Sequence, residues 1–292
     1  MISPLEERTQ LLERSPLVQS TPLSERTPLS ERTPLLELTN VGISLTGQPL
    51  LTHVNLTVNA GEAVALCGTS GRGKSTLLKA ICGLLPKSFA LGGQILFQGT
   101  DLSTLSTKQW QQLRGPGMAL MGQNVSENFD ERASVLSHFV EAVHAHDKKR
   151  SRESIKAQAL ELLYRLELAY PERILNQKSY EFSQGMCQRV ALALTLMLRP
   201  QLILADEFTS ALDLSTRLAV LTELKTLQAE FGFALLFVTH NPDEASFMAQ
   251  RRYDLTEDGT ITETGIGTDT GIDTDTGIGT ADRPRAPEES SC

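Results

Sequence analysis

Residues Gly68-Thr69-Ser70-Gly71-Arg72-Gly73-Lys74-Ser75-Thr76 fill every fixed position of the pattern G-x-x-x-x-G-K-[ST]. The chemistry such a loop performs is phosphate binding. Its glycines let the backbone turn tightly and bring N–H groups close to phosphate oxygens. Lys74 brings a point charge for the β- and γ-phosphates of a nucleotide, and Ser75 offers a hydroxyl to Mg²⁺. Two further stretches carry matching chemistry. Leu202-Ile-Leu-Ala-Asp206-Glu207 is an apolar run ending in two carboxylates. Delivered beside the loop, Asp206 would hold Mg²⁺ and Glu207 would polarise a water attacking the γ-phosphate. Phe182-Ser183-Gln184-Gly185-Met186-Cys187-Gln188-Arg189 puts Ser183 and Gly185 at the start of a helix, again an arrangement suited to an anion.

The elements that must position these residues can be read around them. Glu62–Cys67 reads as a buried strand entering the loop, and Lys74–Leu85 as a helix whose positive end faces the phosphates. Ahead of them, Glu37–Ser44 and His53–Asn59 alternate as antiparallel strands do. Gln94–Gln98 and Met118–Met121 read as strands, the latter ending near Gln123, with a short helix over Thr107–Leu113 between them. Residues 124–182 change character. Ser134–His146 and Ser151–Leu168 carry helix-spaced apolar positions, which predicts a helical subdomain inserted into the core. The core then resumes. A helix runs from Ser183 to about Leu198, stopped by Pro200, followed by a strand at Leu202–Ala205, a helix at Leu214–Phe231 and a strand at Phe233–Thr239. This alternation predicts an α/β fold on a mostly parallel sheet.

The two ends differ from that core. Residues 1–35 hold a six-residue repeat, such as Glu25-Arg-Thr-Pro-Leu-Ser and Glu31-Arg-Thr-Pro-Leu-Leu, whose regular prolines prevent a helix. It reads as a disordered or extended arm. Residues 265–292 are Thr-Gly-Ile-Asp repeats and a charged end, also low in complexity. The ordered unit should span 36–264. The formal net charge of −8 argues against a nucleic-acid surface. No apolar run approaches the ~20 residues of a membrane helix. Four widely spaced cysteines lack metal spacing and suit reduced thiols.

The phosphate loop, the Ser183 stretch and the Asp206-Glu207 strand, in that order, resemble the nucleotide-binding subunit of an ABC transporter over roughly residues 36–264. The resemblance implies a P-loop NTPase cassette with an antiparallel β subdomain and an inserted helical subdomain. It also assigns further residues. Gln123 matches the glutamine that senses Mg²⁺ and joins the core to the helical insert. Ser183 and Gly185 match the signature loop, usually Leu-Ser-Gly-Gly-Gln, which completes the ATP site of a partner subunit. Ser210-Ala-Leu-Asp213 matches the loop after the acidic strand, and His240 the switch histidine that contacts the γ-phosphate. Met186, Pro171-Glu-Arg and Leu113-Arg-Gly are similar to the peptide/nickel branch of importer ATPases.

What the resemblance implies is an ATPase using ATP and Mg²⁺ to energise import of peptides, nickel or a similar small solute. Glu207, His240 and Gln123 would carry catalysis. Residues 68–76 with Ser183 and Gly185 would bind nucleotide, and Ser75, Asp206 and Gln123 would hold the metal. The chain would lie on the cytoplasmic face of a membrane, with membrane-spanning permease subunits, a second ATPase subunit and, indirectly, a solute-binding protein, and no nucleic acid. The alternatives are an ATP-binding component of a phosphonate-processing complex or a soluble ABC ATPase outside transport. Departures from the family pattern are Gln184 for the first signature glycine, Phe208 for proline, Asn241 for aspartate and Leu45 near the expected adenine-stacking aromatic. Gln184 is expected to obstruct the backbone approach to the partner's nucleotide, giving unequal sites in a heterodimer.

Overall fold

The computed structural model of the protein describes residues 34–265. The repeats before and after lie outside the described residues, except for the end of the last N-terminal copy. Strand β1 (Pro34–Leu45) starts on that copy rather than at residue 36. Leu35 is buried, and its carbonyl accepts from the Gln98 N–H. The Pro-Leu unit is therefore part of the core where it meets a sheet partner.

β1 pairs antiparallel with β2 (Gln48–Asn59) and with β4 (Phe89–Phe97), and β4 with the short β5 (Thr100–Asp101), giving the order β2-β1-β4-β5. Alternate residues of β1, Leu36, Leu38, Val41 and Ile43, point into the core, with a register shift absorbing the change of parity after Leu38. This is the antiparallel β subdomain.

The second sheet runs β10-β9-β3-β8-β7-β6. β3 (Ala63–Cys67), β6 (Met118–Met121), β7 (Leu202–Asp206), β8 (Ala234–Val238) and β9 (Arg251–Leu255) are parallel, and β10 (Ile261–Thr264) closes the edge antiparallel to β9. β3 and β8 are buried along their full length, as strands covered on both faces must be. Their carboxyl ends converge on one edge, where an open parallel sheet places its ligands.

Helix α1 (Lys74–Ile81) follows the phosphate loop and ends short of Leu85, because Cys82 and Gly83 close it with N–H groups bonded back to Leu78 and Ala80. α2 (Thr107–Leu113) opens on a capping box formed by Ser106 and Gln109. The insert consists of α3 (Val135–His144), α4 (Arg152–Arg165) and α5 (Pro171–Asn176). It has no core of its own. Phe139, Ile155, Leu162 and Leu163 share one apolar cluster with Val190 and Leu196 of α6 (Gln184–Met197) and with Ile203 and Ala205 of β7. The signature helix α6 is thus the bridge on which the insert stands. α7 (Leu214–Phe231) is tied to α6 by a bidentate pair, Arg189 Nε and Nη2 to the Glu223 carboxylate at 3.0 and 2.8 Å. α8 (Pro242–Met248) follows β8.

Candidate nucleotide site

The loop from Gly68 to Gly73 connects the end of β3 to the start of α1, so α1 points its unpaired N–H groups at the loop's hollow. Gly68 lies at φ 135, and a Cβ there would come within 2.8 Å of the Leu255 carbonyl of β9. No other residue fits so close to that strand. Lys74 is buried, and its ammonium donates to the carbonyls of Gly68 and Thr69 at 2.7 and 2.8 Å, spanning its own loop. Burial pushes its pKa down, opposed by the nearby carboxylates of Glu207 and Asp206. Thr69, Ser70 and Ser75 are exposed to the hollow and Thr76 is half-buried. Arg72 is used otherwise: its guanidinium pairs with Glu257 at 2.7 Å, and its Nε donates to the Thr69 hydroxyl at 3.1 Å. It braces the loop against the β9–β10 turn.

Asp206 ends β7 beside the loop, where its Oδ1 accepts from the Ser75 hydroxyl at 2.9 Å. Burial raises the Asp206 pKa; the Ser75 hydrogen bond lowers it and the Glu207 charge raises it further. A half-buried carboxylate next to a second acid and a hydroxyl is a hard-oxygen donor set of the kind Mg²⁺ takes together with phosphate oxygens and water. The residues present fit that ion.

Glu207 follows with φ 44, a left-handed conformation that a non-glycine residue adopts only when its surroundings hold it. Its N–H donates to the Val238 carbonyl of β8, and the Ser210 N–H closes a turn by donating to the Glu207 carbonyl. The backbone twist carries its side chain between two partners. Gln123 Nε2 donates to Oε2 at 3.3 Å, and His240 Nδ1 lies 3.7 Å from Oε1. The His240 ring is 57% exposed, while Glu207 is 15% exposed. The structure therefore brings together Lys74, Ser75, Asp206, Glu207, Gln123 and His240, drawn from the carboxyl ends of β3, β6, β7 and β8.

Ser183 and Gly185 are not part of that group. Ser183 caps α6, its hydroxyl accepting from the Met186 N–H at 3.3 Å. Gly185 is buried against α7, where a Cβ would meet Thr216 Cγ2 at 2.9 Å. Gln184 is exposed and stands inside the first turn of α6, outside the set of positive-φ residues. The expectation that glycine is needed here for its backbone freedom does not hold, because the chain is already helical. Leu45 is 40% exposed at the end of β1.

Strands β9 and β10 carry little signal in the sequence. Arg251-Arg-Tyr-Asp-Leu looks too polar for a sheet interior. Only Tyr253 and Leu255 are buried, and Arg251 is neutralised by Glu263 of β10 and faces Glu62. Glu244, a buried acid, has as its one sequence signal its place four residues beyond His240.

A family model described as ABC transporter matches residues 51–210. The metal-staphylopine import system ATP-binding protein CntD of Staphylococcus aureus is 37% identical over 206 residues, covering 70% of this chain and 76% of that protein. The oligopeptide transport ATP-binding protein OppD of Bacillus subtilis is 35% identical over 215 residues, covering 71% of this chain but 60% of OppD. Among solved structures, the dimeric post-hydrolysis state of the ATP-binding cassette MJ0796 bound to ADP and Pi superposes with a TM-score of 0.69 at 30% identity, covering 80% of this chain and 99% of that one. With the model match spanning more than half of its length, the chain belongs to the ABC transporter family and is one of its ATP-hydrolysing cassettes.

Proposed function

We propose that this chain is the ATP-hydrolysing subunit of an importer for a small solute, a peptide or a chelated metal, and that it works from the cytoplasmic face of a membrane. The observation that carries the reading is the extent of likeness to the import-system protein CntD, over most of both chains. No helix among the described residues is long and apolar enough to cross a membrane. Separate permease subunits would supply the path, with a solute-binding protein delivering cargo to them.

In this reading Lys74 places its charge on the β- and γ-phosphates, and the N-terminus of α1 faces them. Ser75 and Asp206 would hold Mg²⁺, with Gln123 beside them. The ion neutralises phosphate charge when bound. Glu207 orients and polarises the attacking water. His240, whose ring is 57% exposed, would meet the γ-phosphate. Ser183 and the start of α6 would serve a nucleotide on a second ATPase subunit, for this chain gives them no partner site of its own. MJ0796, a cassette of 30% identity, forms a dimer.

The test is reconstitution with the permease subunits in vesicles, measuring ATP-dependent uptake of labelled peptide and of a chelated metal. Uptake of one, lost with Glu207→Gln, is the expected result. Solute-independent hydrolysis with no uptake of either would overturn the importer reading and leave the ATPase standing.

A further inference from the structure

Glu244, on α8, is a buried acid that the site described above does not use. It is 9% exposed and fully engaged. Its Oε1 accepts from the Thr209 hydroxyl at 3.0 Å and lies 3.4 Å from Arg217 Nε. Its Oε2 accepts from the Thr239 hydroxyl at 2.6 Å. These three partners come from three segments. Thr209 is two residues after Glu207. Thr239 is the residue before His240. Arg217 is in the first turns of α7, its Nη2 donating to the Leu212 carbonyl at 3.0 Å. Both threonines are 2% exposed, so neither hydroxyl has water as an alternative partner.

The segment Glu244 holds is one that needs holding. Glu207 sits at φ 44, a conformation that relaxes unless its neighbours fix it. One anchor is Gln188 of α6, whose side-chain amide donates to the Phe208 carbonyl. Another is the Glu207 N–H to Val238 at 3.2 Å. Beyond Phe208, the loop's next side-chain anchor is Thr209 on Glu244. The same carboxylate grips Thr239, whose hydroxyl also accepts from the Asn241 N–H at 3.0 Å. One side chain thus ties the segment after Glu207 to the segment that carries His240.

We propose that Glu244 is a positioning residue for hydrolysis: it sets the spacing between Glu207 and His240 by clamping Thr209 and Thr239 to one carboxylate. The inference rests on the roles given to Glu207 and His240 above. A clamp of this kind acts on turnover rather than on nucleotide affinity, because Lys74, Ser75 and the phosphate loop lie on other segments. Glu244→Gln keeps the shape but replaces one acceptor oxygen with an N–H₂ donor, so one threonine hydroxyl or Arg217 loses its partner. Thr239→Val deletes one hydroxyl with little change of volume, and Thr239→Ser restores it.

The experiment measures kcat, KM and ATP affinity by calorimetry on the full chain assembled with its partner subunits, with Glu207→Gln as the control. Glu244→Gln and Thr239→Val are each expected to lower kcat by about tenfold with KM and ATP affinity within about twofold, the size expected of a small misplacement of catalytic groups. Thr239→Ser is expected to recover most of the rate. Unchanged kcat in both variants, or a parallel loss of affinity and rate that serine does not rescue, overturns the clamp. If Glu207→Gln itself turns over normally, the assignment of Glu207 fails and the clamp with it. If Glu207→Gln is dead while the clamp variants are normal, only the clamp fails.

Discussion

The two regions proposed to face nucleotide are built in opposite ways. At the carboxyl ends of β3, β6, β7 and β8, side chains from distant parts of the chain meet one another: Ser75 with Asp206, Gln123 and His240 with Glu207. At the start of α6, Ser183 bonds within its own turn and Gly185 packs on its neighbour Thr216. The first region is a closed set of side chains that contact one another. The second is a rigid, outward-facing helix end, held from behind by the Arg189–Glu223 pair. A helix terminus with exposed donors and no internal recipient is suited to a second molecule. In the proposed reading, the first region serves this chain's own nucleotide and the second that of another ATPase subunit.

That contrast can be broken most severely from the first region. Lys74→Ala removes the ammonium buried among the loop carbonyls and is expected to abolish ATP binding by calorimetry while the far-ultraviolet circular dichroism stays that of the folded chain. Glu207→Gln should retain ATP binding and lose hydrolysis by about a hundredfold or more, the scale seen when a positioned general base is removed. ATP affinity unchanged in Lys74→Ala would show that the loop is not the binding element.

Gln123 lies between the regions, at the end of β6 and ahead of the helical insert. Its amide reaches Glu207 while the insert it leads into packs on α6. Gln123→Ala is expected to reduce solute-stimulated ATPase several-fold more than it reduces ATP affinity, a split between binding and turnover. Equal losses would make Gln123 a binding residue and remove its place as the link.

A smaller effect separates the adjacent residues Gln184 and Gly185. Gln184→Gly exchanges an exposed residue in a helical turn and should leave ATPase activity of the assembled pair within about twofold, as for surface changes generally. Gly185→Val should lower the melting temperature markedly, because its branched side chain would enter space held by Thr216. A large gain of activity in Gln184→Gly would restore the idea that this residue makes the two sites of a heterodimer unequal.

These outcomes also show what could be read in the residues alone. The phosphate loop and the Asp206-Glu207 strand were legible because their chemistry is local: residue type and spacing within a few positions dictate it. The helices over Thr107–Leu113 and Leu214–Phe231 and the strand over Met118–Met121 were legible from caps and apolar periodicity. β9 was not, since its Arg251 is neutralised by a hairpin partner twelve residues later. The use of Arg72 on Glu257 was hidden for a different reason, a contact between residues far apart in the chain. The helical conformation of Gln184 was not legible, because a glycine pattern suggests a loop, whereas the chain at that point has already entered a capped helix.

The last prediction concerns the cost of holding the first region together without its ligand. Burial is the main cause that raises the Asp206 pKa, and the adjacent Glu207 charge adds to it. Below the ordinary aspartate range both folded and unfolded chains carry the proton, and the group costs nothing. As pH rises from that range through the raised native value, the unfolded chain gives up its proton first, so the native state holds more protons and loses stability. Above the raised value the penalty is complete. Asp206→Asn keeps an oxygen able to accept from Ser75 and removes the charge. At neutral pH without nucleotide it should therefore melt about 2 °C higher than the parent chain, and the gap should close on acidification. With Mg²⁺ and ATP the order should reverse, because only the parent gains the stabilisation of bound metal nucleotide. Thermal scans at two pH values, with and without Mg-ATP, decide it: a variant that melts lower in every condition would mean that Asp206 supports the fold and does not strain it for the sake of the metal.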